Sequence, residues 1–405
     1  MTSSAMTAGP TNGPNERKEQ IAMLMLADKA EEVAAPSATP TPATTPTPTV
    51  VVADAYGFVV GVDTHARFHC YAVVEAGTGR VLDEASFPTS QPGLARAADW
   101  IGRRTAGEVE AVLISCEGTG SYGARLATTL LGLGYRVVDA PSPKRERGGD
   151  KNDTIDAIKA ARSPLPKRAD RLADVRAGEL QEALKVLLAA RERMSKDSTR
   201  SINALTALLR THDLGLDARR KPTGPHIRQI SRWRTRTEAP ATAIARAEAV
   251  RLATRIDQLH SELGANKTQL RQIVAAQAPV LLEIYGAGPI NAAIVLSVWS
   301  HAGRIHHEAA LARIAGVSPI QIASGGSSEH RLNRGGDRQL NRALHSIAKT
   351  RMDRDPETQP YVERRTREGL SKRRIRRSLK RYIARQIFRT LATASSDAPR
   401  PALTA

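Results

Sequence analysis

The sequence predicts an α/β domain joined to a long helical region and a second, mainly helical domain. Three observations carry this. Between residues 56 and 163, short apolar runs rich in β-branched residues alternate with helical patterns, as a layered α/β domain requires. From 174 to 278 the apolar residues fall at alternating heptad spacings. From 279 onward the pattern is helical again and closes on a strongly basic run. The expected segments are a tail at 1–54, an α/β domain at 55–170, a helical region at 171–278, a C-terminal domain at 279–395 and a short tail at 396–405.

The N-terminal tail contains "PSATPTPATTPTPTV", a Pro/Thr/Ala-rich stretch that cannot pack a core. In the α/β domain, "FVVGVDT" reads as a buried strand, and "HCYAVVEA" and "GRVLDEASF" flank "GTG" as a hairpin. "GLARAADWIGRR" reads as a helix and "EAVLISCEG" as a second buried strand. "SYGARLATTLLGLG" reads as a helix that Gly134 closes. "YRVVDA" follows as a strand, and "TIDAIKAARS" opens another helix.

In the helical region, Leu252, Ile256, Leu259, Leu263, Leu270 and Ile273 form a seam with polar Asn266 in it. Leu180, Leu184, Leu187, Met194, Ile202, Leu205 and Leu209 form a similar stripe. The basic, proline-containing "ARRKPTGPHIRQISRWRTRTEAP" separates them, which suggests an antiparallel coiled-coil hairpin or a dimer arm. A helical bundle packed on the core domain fits the same pattern. Farther on, "LLEIYGAGPINAAIVLSVW" sets a Gly-x-Gly, Gly286 and Gly288, between apolar stretches. That matches a helix-hairpin-helix, whose turn offers backbone N–H groups to a phosphate.

Sixty Lys and Arg against 41 Asp and Glu give a formal charge of +19, and the sequence pI is near 10.5. Clustered basic residues on such a chain point to a polyanion, nucleic acid above all. No apolar run approaches the ~18 residues of a membrane span. The N-terminus lacks a signal-peptide pattern. Cys70 and Cys116 make no disulfide framework and read as core fillers in a reducing cytosol.

Four carboxylates stand out. Asp63 ends the first buried strand and Glu117 the second, and such groups are costly unless solvated, paired or metal-bound. Ligands of α/β sheets bind at the carboxyl ends of strands. Asp153 and Asp156, three apart, share one face of the helix that follows. If the two strands are neighbours, all four acids can meet. Hard oxygen donors suit Mg²⁺ or Mn²⁺ and disfavour zinc. Each acid alone also has an ordinary role: a cap or dipole partner for Asp153 and Asp156, a turn cap for Asp63, an arginine partner for Glu117.

"GVDTH", "CEGTGSYG" and "KNDTIDA", in that order, resemble the RuvC-like (RNase H-like) domain of the DEDD transposases of the IS110 family of insertion sequences. "LARIAGVSPIQIASGGSSEHRLNRGGDRQLNRAL" looks like that family's second region, and the likeness spans roughly residues 56–395. The resemblance implies that Asp63, Glu117, Asp153 and Asp156 are the DEDD set and carries the role of nucleophilic serine onto Ser324. It further implies a recombinase acting on target and donor DNA. A structured non-coding guide RNA, a bridge RNA, would direct it. The protein would work as a dimer or tetramer in which the acids of one subunit serve the serine of another. A bacterial cytoplasmic location at the nucleoid goes with this. Asp337 stands where relatives more often have Asn or His.

Read without the family, "ASGGSSEHRLNRG" is a small-residue loop followed by basic residues. Ser324, Ser327 and Ser328 are then equal candidates. A serine hydroxyl needs a base, a metal or a positive field to act as nucleophile, and Arg331 and Arg334 could clamp a phosphate nearby. Residues 361–389 hold ten Arg, two Lys and two Glu, with Leu379, Tyr382, Ile383, Ile387 and Leu391 on one helical stripe. One face would pack while Lys372, Arg373, Arg374, Arg376, Arg377 and Arg381, with Arg338 upstream, meet nucleic acid. Aromatics are only 3%, a poor basis for reading single strands by stacking. A metal-dependent structure-selective endonuclease of RuvC type and a non-catalytic nucleic-acid-binding protein are the alternative functions.

Overall fold

The computed structural model describes residues 50–140 and 153–396, apart from Ala173, Ala177, Ala218, Ala302, Gly325, Gly326, Leu332 and Arg334. For residues 171, 321–331, 395 and 396 the backbone alone is described. The expected N-terminal tail up to residue 49, the basic run at 143–151 and the last nine residues lie outside this set. The described chain forms two compact units: residues 50–181 with 299–304, and residues 182–298 with 305–396.

The first unit opens with a short helix α1, Val52–Ala55. Val51 bridges to Arg168 and Val52 is fully buried, so ordered structure begins inside the stretch assigned to the tail. Of the apolar triplet at 50–52, just after the last Pro-Thr pair, Val52 is what packs, while Val50 stays exposed.

Strands β1 (Phe58–Thr64), β2 (Phe68–Glu75) and β3 (Val81–Pro88) form an antiparallel meander. Helix α2 (Gln91–Arg104) then leads to β4 (Val112–Cys116), helix α3 (Ala124–Gly132), β5 (Arg136–Asp139) and helix α4 (Asp153–Arg162). The strand order is β3-β2-β1-β4-β5, with β4 parallel to both β1 and β5.

Alternation divides the sheet into two faces. Val60, Val62, Tyr71, Val73, Ile114 and Val137 pack against Leu94, Trp100 and Ile101 of α2 and Leu126 and Leu130 of α3. The opposite face buries Val59, Val74, Leu113 and Val138 with Ala161 and Val52, and sets Cys70 and Ala72 under Ala157. Both cysteines are buried and unpaired, as expected of core fillers.

Helix α4 crosses β1 at Gly61. A Cβ on Gly61 would lie 2.0 Å from the Ala157 carbonyl oxygen and 2.3 Å from the Ala161 amide nitrogen. Only glycine admits a backbone that close. The buried face of α4 is itself small: Ala157, Ala160 and Ala161.

The second unit is built on two long helices, α5 (Glu179–Thr211, which starts just before the unit's boundary) and, after a short α6 (Gly224–Ser231), α7 (Pro240–Gln277). The expected linker thus contains a helix. Pro225 lies at its start, and Ile227 and Ile230, three apart, bury against α7. Helices α5 and α7 run antiparallel: Asn266 Nδ2 donates to the Leu187 carbonyl at 3.0 Å, and Arg191 donates to the Leu263 carbonyl at 3.0 Å. Leu205, Leu209, Leu252 and Ile256 share one core. The polar seam residue is therefore buried but satisfied.

Next come α8 (Val280–Glu283), α9 (Pro289–Trp299) and α10 (Glu308–Ile314). A hairpin of β6 (Ile320–Ser324) and β7 (Ser327–Arg331) follows where the sequence suggested a loop. Its signal is the small-residue "SGGS" between paired runs. Helices α11 (Arg338–Arg354), α12 (Gln359–Arg367) and α13 (Lys372–Ser396) complete the unit. Ile375, Leu379, Ile383, Ile387 and Leu391 are buried along α13, close to the expected stripe.

Candidate functional site

Asp63 and Glu117 extend neighbouring parallel strands. Val62 is the register partner of Cys116, and the Glu117 amide donates to the Val62 carbonyl at 3.0 Å. Both acids therefore leave the sheet at the same level. Residues 59, 61 and 63 of β1, and 113, 115 and 117 of β4 and its tip, share one side by alternation. That side is covered by α4, whose first turn carries Asp153 and Asp156. Thr64 Oγ1 donates to the Glu117 carbonyl at 3.1 Å and ties the two tips together.

His65 stands among these acids. Its Nε2 lies 3.0 Å from Asp63 Oδ2 and 3.4 Å from Asp153 Oδ2. Ligand atoms of Asp63, His65 and Asp153 all fall within 4.8 Å of one another, the geometry of a cation site. Asp63 is only 9% exposed. Burial raises its carboxyl above the usual range, Asp153 and Asp156 push the same way, and His65 opposes them. Burial likewise drives Glu117 up to about 7, with the charges of Asp63 and Asp156 adding to it. Asp156 accepts from Lys159 at 3.0 Å. Asp63 and Glu117 thus feel the charge of neighbouring acids across a half-buried surface, the situation a divalent cation relieves.

Of the four acids expected from the sequence, the 4.8 Å cluster contains Asp63 and Asp153; Glu117 and Asp156 lie outside it, and His65, which the sequence reading did not name, completes it. Gly61 was not named either. His65 was visible as a metal-type residue two positions beyond a strand-tip acid. Gly61 was not, because nothing local says that a helix backbone will cross there.

Two family models match the chain. One describes a DEDD-type IS110 transposase and covers residues 60–212. The other, "Transposase IS116/IS110/IS902 family", covers residues 278–363. The chain belongs to the IS110 family of transposases. It is also similar to the Insertion element IS110 uncharacterized 43.6 kDa protein of Streptomyces coelicolor. The two are 26% identical over 368 residues, spanning 77% of this chain and 87% of that protein.

A transposase acts on DNA, and the cluster at the strand tips fits the divalent-metal site of a DEDD domain. The donors are carboxylate oxygens with one imidazole nitrogen, and burial first, then the neighbouring acids, raises the Asp63 and Glu117 carboxyls. No helix among the described residues is long and apolar enough to cross a membrane.

The transposase's other expected site residues lie in the helical unit. Ser324 ends β6 and is the register partner of Ser327. Arg331 ends β7, and Arg334 lies outside the described residues. Gly286 has φ +82° and packs on α11, where a Cβ would meet the Ile347 carbonyl oxygen at 3.2 Å. Close packing accounts for this glycine; a Cβ on Gly288 meets nothing within 4 Å. Asp337 caps α11: its Oδ1 accepts from the amides of Gln339 and Leu340 at 2.9 and 3.0 Å.

The structure divides the basic run. Arg385 and Arg389 are spent on Glu308 of α10, at 2.9 and 3.4 Å. Arg338, Arg373, Arg376 and Arg377 line one cleft, while Lys372, Arg374 and Arg381 do not.

Proposed function

We propose that this transposase exchanges DNA strands through a covalent phosphoserine link, directed by a structured guide RNA. What supports the metal half is the gathering of Asp63, His65 and Asp153 at the tip of β1, with Glu117 and Asp156 coupled to them by charge. Asp63, Glu117, Asp153 and Asp156 would hold Mg²⁺ or Mn²⁺. When bound, the ion supplies charge neutralisation for the phosphoryl oxygens and the leaving oxygen. Gly61 sets how closely α4 brings Asp153 and Asp156 to Asp63, and His65 orients two of the acids.

Ser324 is the proposed nucleophile, on the resemblance of "AGVSPIQIASGG" to the family pattern. Its Oγ bonds to phosphorus as the P–O3′ bond breaks, and the hydroxyl proton ends on the released 3′ oxygen. Reversal by a second 3′ hydroxyl rejoins strands and restores the serine, so the phosphodiester bond is conserved without a nucleotide cofactor. Arg331 and Arg334 would hold the phosphate; Gly286 and Gly288, as a helix-hairpin-helix, and the face of α13 with Lys372, Arg373, Arg374, Arg376, Arg377 and Arg381, the flanking backbone. The acids of one subunit would serve the serine of another, in a dimer or tetramer.

Trapping tests the reading. Wild-type protein with Mg²⁺, its copurified RNA and matching DNA should give a covalent adduct, and Ser324→Ala should give none while still binding. An adduct from Ser324→Ala removes the serine assignment. Cleavage without any adduct means hydrolysis, as in a RuvC-type endonuclease. Activity that survives EDTA or Asp63→Asn removes the metal assignment.

A further inference from the structure

The helical unit has a concave surface of its own. Asn333, Gly335, Gly336 and Asp337, the start of α11 and the N-terminal half of α13 enclose a cleft of about 760 Å³. Six cations among the described residues line it: Arg338, Arg342, Arg373, Arg376, Arg377 and Lys380. The two acids among the lining residues are already engaged. Asp337 caps α11. Glu192 is 3.2 Å from Lys196, 3.6 Å from Arg342 and accepts from Gln339 Nε2 at 3.3 Å.

The wall is strongly positive and only partly solvated. Burial lowers the pKa of the Lys380 ammonium, and Arg377 and Arg376 lower it further. Burial and the cations Arg376, Lys380 and Lys349 do the same to His345. Lys380 donates to Asn341 Oδ1 at 2.7 Å, which fixes its head in the cleft. Arg376 Nε is buried without a hydrogen-bond partner. Arg338, Arg342, Arg373 and Arg377 are exposed around the rim, while Arg376 and Lys380 are half-buried deeper in. Six cations set around one concavity repel one another, a cost that a bound polyanion offsets.

The occupant's chemistry follows from the donors. Guanidinium forks match phosphate oxygens in pairs. Among the described residues no aromatic ring other than His345 lines the cleft, so base stacking is not its mode. With both lining acids occupied, it is also no metal site.

We propose that this cleft is a metal-independent anchor for the phosphodiester backbone of a nucleic-acid strand, gripping it by charge and hydrogen bonds irrespective of sequence. It rests on the nucleic-acid reading above but not on that reading's metal or serine.

The test measures binding by the full chain in EDTA. The probes are a short DNA duplex of arbitrary sequence and an RNA hairpin, each titrated with salt. Arg376→Ala/Arg377→Ala should lower the slope of log affinity against log salt by roughly 2 for at least one probe. The probe that loses identifies the polymer the cleft holds. Arg377 is exposed, so Arg377→Ala alone keeps the fold and should lower the slope by roughly 1. Arg367→Ala, exposed on α12 and outside the cleft, should lose less than Arg377→Ala. Equal losses for Arg367→Ala and Arg377→Ala, or unchanged slopes in the double variant, overturn the proposal. Because every titration is read in EDTA, a misread metal centre leaves these slopes untouched and is told apart from a misread cleft.

Discussion

Replacing Gly61 by alanine places one methyl group between β1 and α4. The new Cβ would sit 2.0 Å from the Ala157 carbonyl oxygen, and ordinary contact begins near 3.4 Å. Both obstacles are backbone, so no side chain can swing aside, and α4 must retreat by about 1.4 Å. Asp153 and Asp156 ride on the first turn of that helix. The 3.4 Å approach of Asp153 to His65 would open accordingly. Overpacking of this kind costs about 1–3 kcal/mol, and a misplacement near 1 Å costs on the order of a hundredfold in rate. Gly61→Ala should therefore bind Mn²⁺ more weakly and lose about two orders of magnitude in metal-dependent DNA cleavage, with a modest fall in melting temperature. Gly77→Ala, where an added Cβ meets nothing within 4 Å, is the control. If folded Gly61→Ala keeps wild-type metal affinity and cleavage, the helix crossing does not set the site's geometry.

Further outcomes follow from the same contacts. Glu117 holds its proton up to about 7 in the folded protein against 4.5 without the fold, so its stabilising contribution, complete at low pH, is lost as pH rises through 7. The melting temperature of metal-free protein should fall between pH 5 and pH 8, and Glu117→Gln should flatten that decline. Because metal displaces that proton, Mn²⁺ affinity measured by calorimetry should rise with pH up to about 7 in wild type but not in Glu117→Gln. Arg246 is buried, stacks over Trp233 at 4.9 Å and forms a two-point pair with Glu238. Arg246→Ala should lower the midpoint of chemical denaturation and shift Trp233 emission, whereas an unchanged midpoint would mean the pair contributes nothing to stability. Glu192→Gln should tighten metal-free nucleic-acid binding; no change would show that its neighbours already neutralise it.

The strand-tip acids were legible because each closes a short apolar run, and runs of that kind become buried strands. Asp153 and Asp156 were legible from helical spacing. Bringing Asp63 and Glu117 level required β1 and β4 to be neighbours, a tertiary fact that alternation along one strand does not contain. The β6–β7 hairpin was hidden by its polar composition, and α6 by the prolines and arginines around two buried isoleucines. In the basic run, the sequence shows charge but not partners. Arg385 and Arg389 look like Arg376 and Arg377 until Glu308 is found beneath them.

The in-register pairing of β1 with β4 sets the chemistry as well as the shape. Side chains alternate along a strand, so sliding β4 by a single position would turn the Glu117 carboxylate to the far side of the sheet. The Cys116 thiol would take its place opposite α4. A one-residue insertion upstream in β4 would thus leave a folded sheet with a sulfur where an oxygen donor belongs, so the ladder acts as a proofreading device for the centre it supports.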